Sequence, residues 1–177
     1  MRKNYNNWRK LFLFCLGLFA GTAFCMKWME KDLVMNGSLF TVIGLEVSYP
    51  KEQVMALLSG LDDHVRTILG YHLHFDFAFM AGVYPGIAAL CMMARYKVTA
   101  GWLKKLLLVL ALLQAVALVC DVTENSFILQ WIKAPASVGH FATYHLVVYT
   151  KWILALLAAV IAIPLQFRKG KWESTAV

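Results

Sequence analysis

Asp76, Asp121 and Lys151 each stand inside a long apolar stretch of a 177-residue chain. A lone charge at the bilayer centre costs at least about 2.5–3.5 kcal/mol, so three of them on separate stretches call for partners or for a task. The basic residues that end each stretch serve as depth markers. At about 1.5 Å of rise per residue, Asp76 lies roughly 28 Å of helix from Arg95, Asp121 roughly 24 Å from Lys105, and Lys151 roughly 25 Å from Arg168. The three charges are therefore expected at one level, one or two turns inside the same surface, with Lys151 pairing with Asp76, Asp121 or both.

Other groups crowd that level. His72 lies one turn before Asp76 and on the same helix face, and Glu124 and Asn125 lie one turn after Asp121. Tyr144 and His145, with His140 and Tyr149, enter on the last apolar stretch, and Gln114 extends the polar stripe of the third one deeper. Closely packed carboxyl and imidazole groups in a low dielectric have shifted protonation equilibria, which suits proton transfer or activation of a water. The candidate catalytic residues are Asp76, Asp121, Lys151, His72 and Glu124, with His72–Asp76 and Asp121–Glu124 as acid–base pairs. Asn125, Tyr144, His145 and Gln114 are the candidate lining of a polar pocket. His72, Asp76, Asp121, Glu124 and His145 would form an oxygen- and nitrogen-rich metal set, although no fixed ligand spacing such as H-E-x-x-H occurs. No specific cofactor is indicated.

Each group also has a plainer reading. The histidines suit a headgroup interface, and Glu124 and Asn125 suit the capping of a helix end. Tyr71, Tyr144, Tyr149, Trp131 and Trp152 are expected mainly as members of an aromatic belt.

The elements that must position these residues follow from composition. Hydrophobic residues make up 60% of the chain and mean hydropathy is +0.62, too apolar for a soluble domain of this length. Four stretches reach the roughly 20 residues needed to cross a bilayer: residues 9–29, 71–95, 103–125 and 144–167. The fold class expected is an all-α membrane protein, a four-transmembrane-helix bundle forming a single integral membrane domain, with an ordered outer loop over 30–70 that contains a short amphipathic helix. The first stretch is read as a span rather than a cleaved leader, because it runs into Lys27-Trp28-Met29-Glu30-Lys31 without a small-x-small site.

The net charge of +7 is explained by topology. Arg2, Lys3, Arg9 and Lys10, then Arg95, Lys97, Lys104 and Lys105, then Arg168, Lys169 and Lys171 in the tail 168–177, all fall on one side of a four-span chain, whereas the other side is nearly neutral. The positive-inside rule puts both termini in the cytoplasm, in an integral multi-pass protein of a bacterial inner membrane. The lipid bilayer is then the expected partner of these charges, and nucleic acid is not expected. Cys15, Cys25, Cys91 and Cys120 are scattered singly with no C-x-x-C; they read as buried thiols, with a Cys25–Cys120 bridge as the alternative.

In the loop, residues 37–47 are β-prone and suggest a short strand pair or an extended segment. After Pro50, Val54, Leu57, Leu58, Leu61 and Val65 recur at helical spacing. Gly17-x-x-x-Gly21 reads first as packing inside the bundle and second as contact with another copy or a membrane partner. Pro85, in Gly82-Val83-Tyr84-Pro85-Gly86, suggests a kink or a locally opened helix. Sterol-isomerase-like proteins, four-span redox enzymes and claudin-like proteins share this four-span plan loosely, but no motif specific to any of them occurs.

Three function classes fit the residues. The first is a membrane-embedded enzyme or binder acting on a lipid or amphipathic small molecule, by acid–base or metal-assisted chemistry. The second is a structural or accessory subunit whose charged layer pairs helices or docks a partner. The third is a haem-, quinone- or proton-handling protein, against which only Gln114 continues the polar groups into the cytoplasmic half.

Overall fold

A computed structural model describes residues 2–135 and 138–168; the expected cytoplasmic tail from Lys169 onward, including Lys171, lies outside the described residues. The elements are α1 (Arg2–Glu30), strands β1 (Val34–Met35) and β2 (Ser38–Leu39), a π-helical turn (Gly44–Ser48), α2 (Lys51–Gly60), α3 (Asp63–Lys97), α4 (Gly101–Lys133) and α5 (Phe141–Gln166). Four helices, Lys3–Glu30, Asp63–Lys97, Gly101–Lys133 and Phe141–Gln166, are long and apolar enough to cross a membrane. Large apolar side chains such as Phe14, Phe24, Trp28, Leu146 and Val160 remain on the outside of the bundle, where lipid is their natural solvent.

Helices α3, α4 and α5 exceed the expected spans at the loop-bearing end, whereas α1 is extended at its N-terminal end, from Arg2. The α3 helix begins at Asp63 because the Asp62 side chain caps it, accepting a hydrogen bond from the Val65 amide at 2.8 Å. This cap also divides the expected loop helix: Val54, Leu57 and Leu58 belong to α2, Leu61 lies between helices, and Val65 belongs to α3. At its far end α4 continues to Lys133, so Glu124 and Asn125 are interior helical residues and not caps.

The loop's strand pair is confined to a two-residue hairpin. Asn36 and Gly37 both take positive φ, 51° and 75°, as a tight turn between antiparallel strands requires, and Val34 pairs with Leu39. The rest of the β-prone run does not extend as a strand; it closes into the π turn, where the Tyr49 amide donates to the Gly44 carbonyl at 2.9 Å. Loop residues Leu33, Phe40, Val42 and Leu45 are buried with Leu57 and Leu58 of α2, and with Ile128, Trp131, Tyr144 and Val148 of α4 and α5. The loop is thus docked as a cap on the bundle. Trp131 and Tyr144 are buried in this core rather than in an aromatic belt, whereas Tyr71, Tyr149 and Trp152 remain exposed.

Within the bundle α3 is central. It packs against α1, α4 and α5, and α4 packs against α5, while α1 and α5 form no packed seam with each other. The α1–α3 contact depends on Gly82 and Gly86. A Cβ added at Gly82 would lie 2.8 Å from the Phe19 backbone nitrogen and 3.0 Å from the Cys15 carbonyl oxygen, and one at Gly86 would lie 3.2 Å from the Cys15 Cβ. Gly17 and Gly21, by contrast, have nothing within 4 Å of such a Cβ. The small residues that let these helices approach are therefore those of α3, and the reading of Gly17 and Gly21 as internal packing is replaced. The α3 helix runs through Pro85 without interruption. All four cysteines are free, which removes the Cys25–Cys120 bridge; Cys15 and Cys91 are buried.

Gly82→Ala should lower the midpoint of thermal unfolding in detergent, consistent with an overpacking cost of about 1–3 kcal/mol, because the obstacle is backbone that cannot rotate away. Gly17→Ala should leave it unchanged or raise it, since alanine favours the helix by about 0.5–1 kcal/mol over glycine. Equal effects at the two positions would refute this assignment of the helix contact.

Candidate functional site

Lys151, on the first half of α5 and 5% exposed, aims its ammonium at three carboxyl groups. It donates a hydrogen bond to Asp121 Oδ1 at 2.7 Å. Glu124 Oε2 lies at 2.7 Å and Glu46 Oε2 at 3.4 Å, as contacts of charge rather than aligned hydrogen bonds. Asp121 and Glu124, three residues apart, share one face of α4, so a single lysine reaches both. Glu46 comes from the π turn. The other Asp121 oxygen, Oδ2, accepts from the Tyr84 hydroxyl at 2.6 Å, which ties α3 into the network.

Asp76 is held separately. Asn125 donates to Asp76 Oδ2 at 2.7 Å and, more weakly, to the Leu73 carbonyl at 3.4 Å. The expected level of charge is present, but Lys151 takes Asp121 and two glutamates as its ion-pair partners while Asp76 is bonded through an amide. Burial raises the Glu46 carboxyl above its ordinary range; attraction to Lys151 pulls it back and repulsion from Asp121 pushes it the same way as burial. Lys151 cannot fully offset that burial because its charge is shared three ways.

Beside this cluster lies a cavity of about 400 Å³. Phe19, Ala23 and Met26 of α1 form one wall, Trp152, Ala155, Leu156 and Ala159 of α5 the other, and Phe79, Val83 and Ile87 of α3 the back. Because α1 and α5 are not packed together, the cavity occupies the gap between them. Its polar lining is gathered at the loop end: Glu46, His72, Asp76, Tyr84, Asp121 and Lys151, with Lys27 and Glu30 of α1 paired at 2.5 Å. From His72 to Ile87 the groove follows roughly 22 Å of α3.

Of the residues singled out in the sequence, His72, Asp76, Asp121 and Lys151 line this cavity. Glu124 and Asn125 stand behind it, both fully buried. Gln114 donates to the Leu110 and Leu154 carbonyls and serves as a link between α4 and α5, away from the cavity. Tyr144 donates to the Leu45 carbonyl at 3.3 Å and anchors the loop. His145 packs edge-on to Phe141 at 4.5 Å and stacks with Tyr149, also away from the cavity. His74 is exposed and bonded to the Gly70 carbonyl, and His140 precedes α5 in a left-handed conformation. His72 is 2% exposed, and neither of its ring nitrogens has a hydrogen-bond partner among the described residues. Among the described residues no three His, Cys, Asp or Glu side chains are grouped to hold a metal ion.

Two members were not assigned a role from the sequence. Glu46 has a signal there, being the one acidic residue between Leu39 and Val47. Tyr84 has none, since a tyrosine beside a helical proline reads as packing.

Lys151→Met should destabilise the protein by about 3–5 kcal/mol, because it leaves buried carboxylates without their cation. Lys27→Met should cost about 1 kcal/mol or less, because the Lys27 side chain is 80% exposed and its pair is screened. Unfolding free energies measured in mixed micelles check both; similar values would contradict the burial argument. No protein-family model matches the sequence, and no curated protein or solved structure matches it either.

Proposed function

We propose that the protein takes up an amphipathic molecule, a lipid or a smaller amphiphile, from the bilayer through the gap between α1 and α5. The molecule's polar end is then handled at the His72–Asp76 side of the charged cluster. The observation that carries this reading is the division of one groove into an apolar length and a single polar end. Such a shape offers each half of an amphiphile its own solvent, and the helices that flank the opening present apolar faces to lipid.

His72 and Asp76 lie one helical turn apart and both face the cavity, so they are the groups available to exchange a proton with the occupant. The Lys151 network sits beside them as the support. With the basic residues facing the cytoplasm, the polar end of the groove belongs to the outer leaflet of a bacterial inner membrane. Docking of a partner subunit through the charged layer receives less support, because Lys151, Asp121 and Glu124 all turn inward.

Ala159→Phe should fill the apolar end of the groove. Native mass spectrometry of protein released from lipid nanodiscs should show at least a tenfold loss of bound amphiphile with little change in the unfolding midpoint. Retention of the same amphiphile at the same occupancy by the variant would sink the proposal.

A further inference from the structure

Carboxyl groups outnumber ammonium groups around the groove. Glu46, Asp76, Asp121 and Glu124 bring four carboxyl groups to the cluster, and Lys151 is their one ammonium among the described residues. Lys27 also lines the cavity, but its side chain is 80% exposed and it pairs with Glu30 rather than with the cluster. An acidic excess alone does not define a ligand, but a second observation lies in the same cavity. His72 lines it, is 2% exposed, and has two ring nitrogens without a hydrogen-bond partner among the described residues. A buried imidazole left in that state costs free energy that a hydrogen-bonding ligand would return.

Resting on the lateral-groove reading, we infer that the occupant is a long-chain amine, an amphiphile whose protonated primary or secondary amino head sits between Asp76 and the His72 ring. The two sites make complementary demands. Asp76 accepts from Asn125 through one oxygen and lines the cavity, so a cationic N–H donor beside it forms a charge-assisted hydrogen bond. A neutral imidazole carries one nitrogen lone pair, which accepts a second N–H of the same head.

Other heads meet only part of this. An anionic head is repelled by the acidic excess. A hydroxyl can satisfy His72 but brings no charge to Asp76, and a quaternary ammonium brings charge but has no N–H to donate. A bare metal ion is disfavoured because no three suitable side chains are grouped for it among the described residues. Between Asp76 and Ile87 the groove follows roughly 16 Å of helix, a length that a dodecyl chain can occupy in extended form.

The test is a head-group series on one tail. The full chain in phosphatidylcholine nanodiscs is equilibrated with dodecylamine, dodecyltrimethylammonium, dodecanol or laurate, and occupancy is read by native mass spectrometry. Dodecylamine is expected to bind at least tenfold more tightly than the other three. Asp76→Asn and His72→Phe, tested separately, are each expected to remove that preference, by weakening dodecylamine binding at least tenfold. Equal binding of all four probes would overturn the head-group inference and leave the groove intact, as would preference for laurate, dodecanol or the quaternary ammonium. Binding of none would remove both. If the variants fail to fold, the series on the unsubstituted protein still decides the matter.

Discussion

The ammonium of Lys151 is the interaction on which the rest of the structure depends. An unpaired lysine at this depth would cost several kcal/mol, and the chain meets that cost by bringing carboxylates from two places far apart in sequence. Asp121 and Glu124 come from α4, and Glu46 comes from a turn more than 100 positions before Lys151. Glu46 can be present only if the loop folds down onto the bundle. The hairpin, the π turn, α2 and the buried leucines of the loop core serve that end. The Tyr84 hydroxyl on Asp121 then fixes α3 against α4. Lipid gives little apolar driving force between helices, so these polar links, with close packing at Gly82 and Gly86, set their register.

The same cluster makes the groove asymmetric. At the loop end a cavity otherwise walled by Phe, Val, Leu and Ala meets charge; at the other end it meets none. Lys151 and Asp121 line the cavity as an ion pair, whereas His72 lines it with neither ring nitrogen hydrogen-bonded among the described residues. The α1 helix is held by α3 and not by α5, and the cavity lies between α1 and α5.

Much of this was legible in the sequence. Length and hydropathy locate the four spans, and counting from the basic residues puts Asp76, Asp121 and Lys151 at one level. What the sequence leaves open is which side chains meet. Lys151 has several acids within reach, and the choice depends on helix rotation, which spacing alone leaves undetermined by a turn. Glu46 is hidden because its run is β-prone and its partner is remote. Gly17-x-x-x-Gly21 resembles a packing motif more strongly than Gly82–Gly86, which is masked by Pro85, yet α1 presents Cys15 and Phe19 to α3 instead. Gln114 and Tyr144 share the polar level but satisfy backbone carbonyls, a role that composition cannot distinguish from pocket lining.

The central claim, that a loop carboxylate and a helix lysine are coupled across the layer, is tested most directly by a double-mutant cycle. Glu46→Gln, Lys151→Met and the double variant are compared with the parent by reversible unfolding in mixed micelles. A direct interaction between contacting charges predicts non-additivity of roughly 0.5–3 kcal/mol, with the double variant less damaged than the sum of the two single changes. Additive effects would mean that Glu46 and Lys151 do not meet, and the loop would not be the lid that completes this site.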